Sequence, residues 1–295
     1  MDDEDRITKF KQAGRIISEV REESRKFIKE GMLFSAVAEK IENLIREKGA
    51  SPGFPACLSA NEIAAHYSPG KNDQSCIPEG ALLKVDIGAH VDGYVADTAY
   101  TIAFNDEHKQ LAEASAAALN AAIEQSYTGN LLSNVSEAIE GTIKDFGFNP
   151  ISNLTGHGLG HYWLHDAPSV PNVKFTSAYQ LKEGHAIAIE PFATTGAGKV
   201  KDAESITIFR IDQPKPVRNM EARRIIEFAA GLRGLPFSER WLPVESLFKL
   251  KMALRELRER EILYEYPALK EISNGLVSQA EHSVIVSDKP IVITK

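Results

Sequence analysis

Two aspartates in one apolar stretch are the first residues of this sequence that could do chemistry. Asp86 and Asp97 lie in KVDIGAHVDGYVADTAYT, residues 84–101. The alternation of apolar and polar residues predicts two paired strands, and Asp92-Gly93 predicts the tight turn between them. Burying two neighbouring carboxylates without a partner costs several kcal/mol. Either a cation lies between the two side chains, or at least one of them faces solvent.

Further polar residues occur in similar apolar or glycine-flanked settings. His157 lies between two glycines, Glu190 closes AIAIE, Glu281 lies in QAEHSVIV, and His165 follows Trp-Leu. His66 ends a short apolar segment, where a strand end would face a cleft. Each residue alone could cap a turn or pair with a lysine. Together, the four carboxylates and the imidazole of His157 are ligands that suit two divalent cations. Two such cations can hold a shared hydroxide between them.

The surrounding sequence predicts the elements that must position these residues. Helical periodicity covers 5–30, a segment from Ser35 to Gly49, 107–126, and 135–146, where Asn134 and Glu137 form a capping-box pattern. Strands are predicted at 185–190 and 205–212. Two amphipathic helices follow at about 219–230 and 245–261, and strand character returns after 265. This order predicts a helical insert at 213–264, because the last strands need a sheet to join.

Composition narrows the class of protein. The 295 residues are 43% hydrophobic and 25% charged, with a net charge of −7, so no overall basic field favours DNA or an anionic membrane. The two cysteines, Cys57 and Cys76, fit no zinc or redox spacing and suit a reducing compartment. The acidic first ten residues contain no signal-peptide pattern, and apolar runs stay far below ~18 residues. We therefore expect a cytoplasmic protein that binds neither DNA nor membranes.

The motifs together resemble one known family, the type 2 methionine aminopeptidases of archaeal kind within the M24 peptidases. The resemblance covers nearly the whole chain: GFP (53–55), NEIAAHYSP (61–69), the aspartate hairpin, TGHGLG (155–160), IEPFATTGAG (189–198) and YPALKEISNGLVSQAEHSVIV (266–286). It implies an α+β pita-bread fold, in which an antiparallel sheet with pseudo-two-fold symmetry is flanked by helices. The catalytic domain would comprise 1–212 and 265–295, with the type 2 helical insert at 213–264. The long N-terminal extension of the eukaryotic type 2 enzymes is not expected.

The resemblance also implies a metal centre. The family's five ligands correspond to Asp86, Asp97, His157, Glu190 and Glu281, holding two divalent ions, which could be Co²⁺, Mn²⁺, Fe²⁺ or Zn²⁺. Asp97 and Glu281 would bridge both ions, Asp86 would complete one site, and His157 with Glu190 the other.

The implied activity is removal of the N-terminal methionine from nascent proteins and peptides. A metal-activated hydroxide would attack the first peptide bond, with Glu190 as general base. His66 would bind the scissile amide or the oxyanion, and His165 the substrate beyond it. The free amine would ligate one metal, which makes the enzyme an exopeptidase. Pocket positions of the family correspond to Phe54, Leu164 and Tyr266, although ordinary core packing would explain these three equally well.

The family further suggests a monomer, with ribosome-associated nascent chains among its substrates. One histidine, His161, has no assigned role in this comparison, and three others are expected to be structural: His90, His185 and His282.

Three alternatives stay open at this point. An Xaa-Pro aminopeptidase or prolidase would use the same five ligands, but it carries a large N-terminal domain for which this chain has no room. A non-catalytic homologue would share the fold without the metals. The insert could bind nucleic acid through its basic helix, but Glu256, Glu259 and Glu261 interleave with the basic residues and favour a solvated face.

Overall fold

The structure, a computed structural model, describes residues 3–295. The helices of this part of the chain are α1 Asp3–Phe27, α2 Phe34–Glu47, α3 Lys109–Glu124, α4 Leu132–Asp145, α5 Met220–Gly231 and α6 Leu247–Glu259. The strands are β1 Ser51–Pro52, β2 Cys57–Ala60, β3 Ile63–Ala65, β4 Leu82–Val91, β5 Tyr94–Ala103, β6 Asn149–Pro150, β7 Thr155–Gly160, β8 Trp163–Pro171, β9 Ala186–Ile189, β10 Phe192–Thr194, β11 Val200–Ile211, β12 Phe237–Ser238, β13 Leu263–Glu271, β14 Val277–Gln279, β15 Glu281–Ile285 and β16 Ile291–Val292. Among residues 3–295, no helix has the length and apolarity needed to cross a bilayer.

The largest sheet has nine strands and carries most of the candidate metal ligands. Its order is β1-β4-β5-β15-β9-β7-β8, with β2 also paired to β4 and β16 to β15. A four-stranded sheet, β12-β11-β13-β3, and a three-stranded sheet, β14-β10-β6, complete the strand pairing. The sheet thus places β15, from the far end of the sequence, directly between β5 and β9.

The predicted aspartate hairpin is confirmed. β4 and β5 pair antiparallel from Leu82 opposite Ala103 to Val91 opposite Tyr94. Asp92 and Gly93 at the turn have φ values of 50° and 86°. Two consecutive positive φ angles suit the right-handed twist of a two-residue hairpin, and Asp-Gly adopts them at little cost.

Helices cover the sheets and bury their apolar faces. α1 packs on β4 and β5, and α3 packs on α4 and β14. The helical apolar stripe predicted for α1 is buried, including Phe10, Ile17 and Val20. Each large side chain buried in this way contributes about 1.5–3 kcal/mol of transfer free energy. This packing holds the hairpin in place from one side.

Two predicted helix caps are wrong, although both helices exist. α2 begins one residue before Ser35, whose hydroxyl instead donates to the carbonyl oxygen of Asp73 at 3.3 Å. α4 also begins earlier than predicted, because Asn134 donates its side-chain amide to Asn130 Oδ1 at 2.7 Å and lies inside the helix. Glu137 forms an ion pair with a lysine of a later loop rather than closing a capping box. Neither predicted cap residue precedes its helix, and the side chain of each makes a different hydrogen bond.

The segment between β11 and β13 contains the two helices of the predicted insert. These strands pair antiparallel up to Ile211 opposite Leu263, so the insert leaves and re-enters the sheet at adjacent points. α5 and α6 pack together over an apolar cluster of their own. The buried guanidinium of Arg240 binds Glu42 of α2 at 2.7 Å, and Trp241 Nε1 donates to the same carboxylate at 2.7 Å. These contacts fix the insert to α2.

Candidate metal centre and active site

The five candidate metal ligands line one pocket: Asp86, Asp97, His157, Glu190 and Glu281. The sheet register explains why they meet. Ala99 of β5 lies opposite Asp86 on one side and opposite Glu281 on the other, so these carboxylates share a row across three strands. Asp97 precedes Ala99 by two positions and therefore faces the same side.

The fourth and fifth ligands arrive from the neighbouring strands of the same sheet. His157 of β7 lies opposite Ala188 of β9, and Glu190 follows that alanine by two positions. His157 Nε2 is 3.7 Å from Glu190 Oε1 and 3.8 Å from Asp97 Oδ2. One possible ligand atom each from Asp97, His157 and Glu281 lies within 4.8 Å of the others. These separations leave space for an ion at the metal–ligand distances of about 2.0–2.2 Å.

The tautomer of the imidazole follows from its second nitrogen. His157 Nδ1 is 3.1 Å from the carbonyl oxygen of Gly158, which can only accept a hydrogen bond. Nδ1 therefore carries the proton, and the lone pair of Nε2 faces the carboxylates. Burial lowers the pKa of His157 to about 4, so the neutral ring cannot offset their negative charge near neutral pH.

In the absence of a cation, this site disfavours the ionised form of its four carboxyl groups. Burial raises the pKa of Asp86 to about 7. Burial and then the charge of Asp86 raise the pKa of Asp97 and that of Glu190 well above their usual ranges, and burial followed by Asp97 does the same for Glu281. Burial is the largest cause of all four shifts, and neighbouring like charges add to it for Asp97, Glu190 and Glu281.

Several oxygens at this site have no hydrogen-bond donor. Within residues 3–295, Asp86 Oδ1, Asp97 Oδ1 and Glu281 Oε1 are buried without a hydrogen-bond partner. The nearby buried Lys84 does not supply one, because its ammonium binds the carbonyl oxygen of Asn61 at 2.7 Å. Orphaned oxygens, four buried carboxyls whose ionised forms lack a counter-charge and one neutral imidazole are what bound divalent cations would satisfy, so the residues present fit the predicted metals.

The predicted substrate-binding residues line the same pocket: Phe54, His66, Leu164, His165 and Tyr266. His66 directly follows β3 with a φ of 62°, which is uncommon for a residue other than glycine and aims the ring across the chain direction. Its ring meets Tyr266 edge-on at 5.8 Å, and burial lowers its pKa. His165 contacts His157 at 4.6 Å and Tyr266 at 5.9 Å between ring centroids. The two histidines therefore lie in the same pocket as the candidate ligands.

Sequence reasoning missed other residues of the pocket. Cys57, Ala65, Ile208 and Pro236 also line it. Gln279 donates its side-chain amide to Asp86 Oδ2 at 3.3 Å and to Glu190 Oε2 at 3.5 Å. Its position two residues before Glu281 was a usable signal, since residues i and i+2 of extended chain share a face. No local sequence pattern indicated that Ile208 of the four-stranded sheet or Pro236 of the insert lines the pocket.

His161, whose role the sequence left open, lies away from this pocket. Its Nε2 is 2.9 Å from the carbonyl oxygen of Asp92, and its ring stacks on Tyr94 at 4.7 Å. It therefore clamps the hairpin turn. His282, expected to be structural, contacts Thr294 Oγ1 at 2.8 Å through Nδ1.

Comparison with known proteins agrees with this geometry. The sequence profile described as metallopeptidase family M24 matches residues 8–214. The chain is 45% identical over 291 residues to a methionine aminopeptidase of Pyrococcus abyssi, covering 98% of this chain and 99% of that protein. A methionine aminopeptidase structure from Thermotoga maritima matches with a TM-score of 0.73 at 22% identity, covering 99% of this chain and 97% of the other. The structure of a thermophilic Arx1 matches with a TM-score of 0.86 at 18% identity, over 98% and 90% of the two chains.

A prolidase from Pyrococcus furiosus shares the fold, with a TM-score of 0.63 at 18% identity, but the match covers only 64% of that protein. The full-length relatives therefore favour the aminopeptidase over the prolidase alternative. These neighbours confirm the predicted α+β pita-bread fold. The chain belongs to metallopeptidase family M24, among its archaeal-type methionine aminopeptidases.

Proposed function

We propose that this protein is a metalloaminopeptidase that removes the N-terminal methionine from peptides and nascent proteins. One observation carries the proposal: the acidic metal-binding set and an apolar wall formed by Phe54, Leu164 and Tyr266 occupy the same pocket. An unbranched thioether side chain suits such a wall. The free α-amino group of the substrate would add a ligand to a metal held by these carboxylates, which would place the chain terminus, rather than an internal bond, at the reacting centre.

We propose that Asp86, Asp97, His157, Glu190 and Glu281 hold two divalent ions. Four carboxylates carry four negative charges, which two divalent cations balance. Oxygen donors with one imidazole suit Mn²⁺, Fe²⁺, Co²⁺ and Zn²⁺ alike. When bound, such ions polarise the scissile carbonyl and lower the pKa of water towards neutrality.

The side chains around the ligands divide the remaining work. Glu190 is the general base: Gln279 donates to its Oε2, which leaves Oε1 to take a proton from the attacking water and return it to the leaving amine. His66 stays neutral because burial lowers its pKa, and its N–H donates to the oxygen on which negative charge develops. His165, whose ring contacts the candidate ligand His157, binds the substrate after the scissile bond.

The proposal is tested by assaying Met-Ala-Ser hydrolysis before and after chelation with EDTA, together with Glu190→Gln. We expect chelation to abolish turnover, added divalent metal to restore it, and the variant to lose roughly 10²–10⁴-fold in kcat while it stays folded. Glu137→Gln, at an exposed ion pair, is the matched control and keeps full activity. Full activity after thorough chelation contradicts the metal proposal, and a preference for an Xaa-Pro peptide over Met-Ala-Ser contradicts the methionine assignment.

Elemental analysis of the active protein counts the ions, with two equivalents expected. A cytoplasmic location, a monomeric state and action on ribosome-associated nascent chains stay predictions from the sequence.

A further inference from the structure

A second cavity opens directly outside the active-site pocket. It has a volume of about 150 Å³, roughly ten times what one water needs on the same measure. It shares part of its wall with the active-site pocket, namely Leu164, His165, Pro236 and Tyr266. The two cavities are therefore adjacent, and a peptide whose first residue fills the inner pocket can extend into the outer one, which we call the vestibule.

Three further side chains give the vestibule its chemistry. The guanidinium of Arg210 lies 4.4 Å from the ring centroid of Trp163 and 5.0 Å from that of Tyr264. Trp163 is 43% exposed and Tyr264 is 50% exposed, whereas the Arg210 side chain is only 13% exposed. Stacking between two rings fixes the plane of the guanidinium, so that its donors are oriented before any ligand arrives.

Arg210 retains unused hydrogen-bonding capacity. Its Nη2 donates to Asp212 Oδ1 at 3.1 Å, and its Nε is buried without an acceptor among residues 3–295. A guanidinium has five N–H donors, and within the described part of the chain most of those of Arg210 contact no protein oxygen. Asp212 already balances its positive charge, so the fitting ligand is a neutral oxygen acceptor rather than a second carboxylate.

We propose that the vestibule is a binding subsite for the peptide downstream of the second residue, in which Arg210 donates to a backbone carbonyl oxygen. Trp163 and Tyr264 form the walls and hold Arg210 in place. The inference deepens the proposed function and rests on it. It assigns to these three residues the recognition of peptide length, independent of the side chain at the third position.

The test compares Met-Ala-NH₂, Met-Ala-Ala-NH₂ and Met-Ala-Ala-Ala-NH₂ with the metal-loaded full-length protein. We expect kcat/KM to rise with length, and Arg210→Met to remove about tenfold of that rise while changing the shortest substrate less than twofold. Arg25→Met is the matched control, because Arg25 stacks on Tyr100 at 3.9 Å far from the vestibule. An undiminished length dependence in Arg210→Met overturns the inference.

Two further measurements identify the acceptor and separate this inference from the catalytic proposal. Replacing the third residue by Glu should leave the effect of Arg210→Met unchanged. An effect seen only with Glu means that a side-chain carboxylate binds instead, which overturns the carbonyl assignment.

A long peptide with a reduced first amide should quench Trp163 fluorescence and bind Arg210→Met about tenfold more weakly. Trp163→Phe removes the signal from one of the two tryptophans and checks its origin. Binding with quenching but without turnover on any peptide contradicts the catalytic proposal and leaves the subsite standing.

Discussion

Removing one carboxylate from the metal centre should stabilise the metal-free protein, and increasingly so as pH rises. Burial raises the pKa of Asp86 from 3.8 to about 7. The folded protein therefore holds this proton at pH values where the unfolded chain has released it. The stability associated with that proton is present below pH 3.8 and is lost as pH rises through about 7. Asp86→Asn cannot lose a proton and should escape this loss.

The magnitude follows from the size of the shift. A shift of about three pKa units corresponds to about 4 kcal/mol, and because water reaches the partly exposed side chain we expect about 2 kcal/mol. The free energy of unfolding of Asp86→Asn minus that of the wild type should thus increase by about 2 kcal/mol from pH 4 to pH 8. Buried histidines such as His157, whose pKa is lowered, act in the opposite sense but are common to both proteins and cancel in the difference.

Urea unfolding in EDTA at several pH values measures this difference. Asp106→Asn, at an exposed ion pair with Lys109, serves as the control and should show no pH-dependent difference. Added divalent metal should reverse the order, stabilising the wild type more than Asp86→Asn, since only the wild type keeps every ligand. A difference that is flat between pH 4 and pH 8 would refute the reasoning that burial raises the pKa of Asp86 in the folded protein.

Three further substitutions test how the surroundings support the site. Gln279→Leu should weaken metal affinity by about 10–100-fold without unfolding the protein, because it removes the amide that orients two ligands; equilibrium dialysis measures it. Arg240→Met should cost about 3–5 kcal/mol in chemical denaturation, since it leaves the Glu42 carboxylate buried and unpaired. Gly88→Ala should raise KM for methionyl peptides and lower the melting temperature, because its Cβ would lie 2.3 Å from Phe54 Cε1 and displace a buried ring that lines the pocket.

The sequence alone predicted the fold correctly where one short segment determines its own structure. The Asp92-Gly93 turn and the alternation around it defined the hairpin, and the hairpin then fixed which face Asp86 and Asp97 share. The two helices of the insert were likewise visible from their periodicity, with bounds close to α5 and α6.

The sequence was insufficient where partners are distant. Ser35 looked like a helix cap, but the carbonyl of Asp73 takes its hydrogen bond. The ion pair between Glu42 and Arg240 joins positions 198 residues apart, and no local sequence pattern near either residue predicts it. The meeting of the five ligand segments was predicted only through family resemblance, because no local pattern specifies that β15 lies between β5 and β9. Arg210 was overlooked for the same reason, since the rings on either side of it belong to different sheets.

The position of β15 sets the order of events when the chain is made. Synthesis has to pass residue 285 before the middle of the nine-stranded sheet can close. Until that moment Asp86 and Asp97 lack Glu281 on the adjacent strand, and a partial chain offers an incomplete set of donors. On the proposed set of ligands, complete cation binding has to follow the addition of β15, and polypeptides cut short before this strand should retain no tightly held metal.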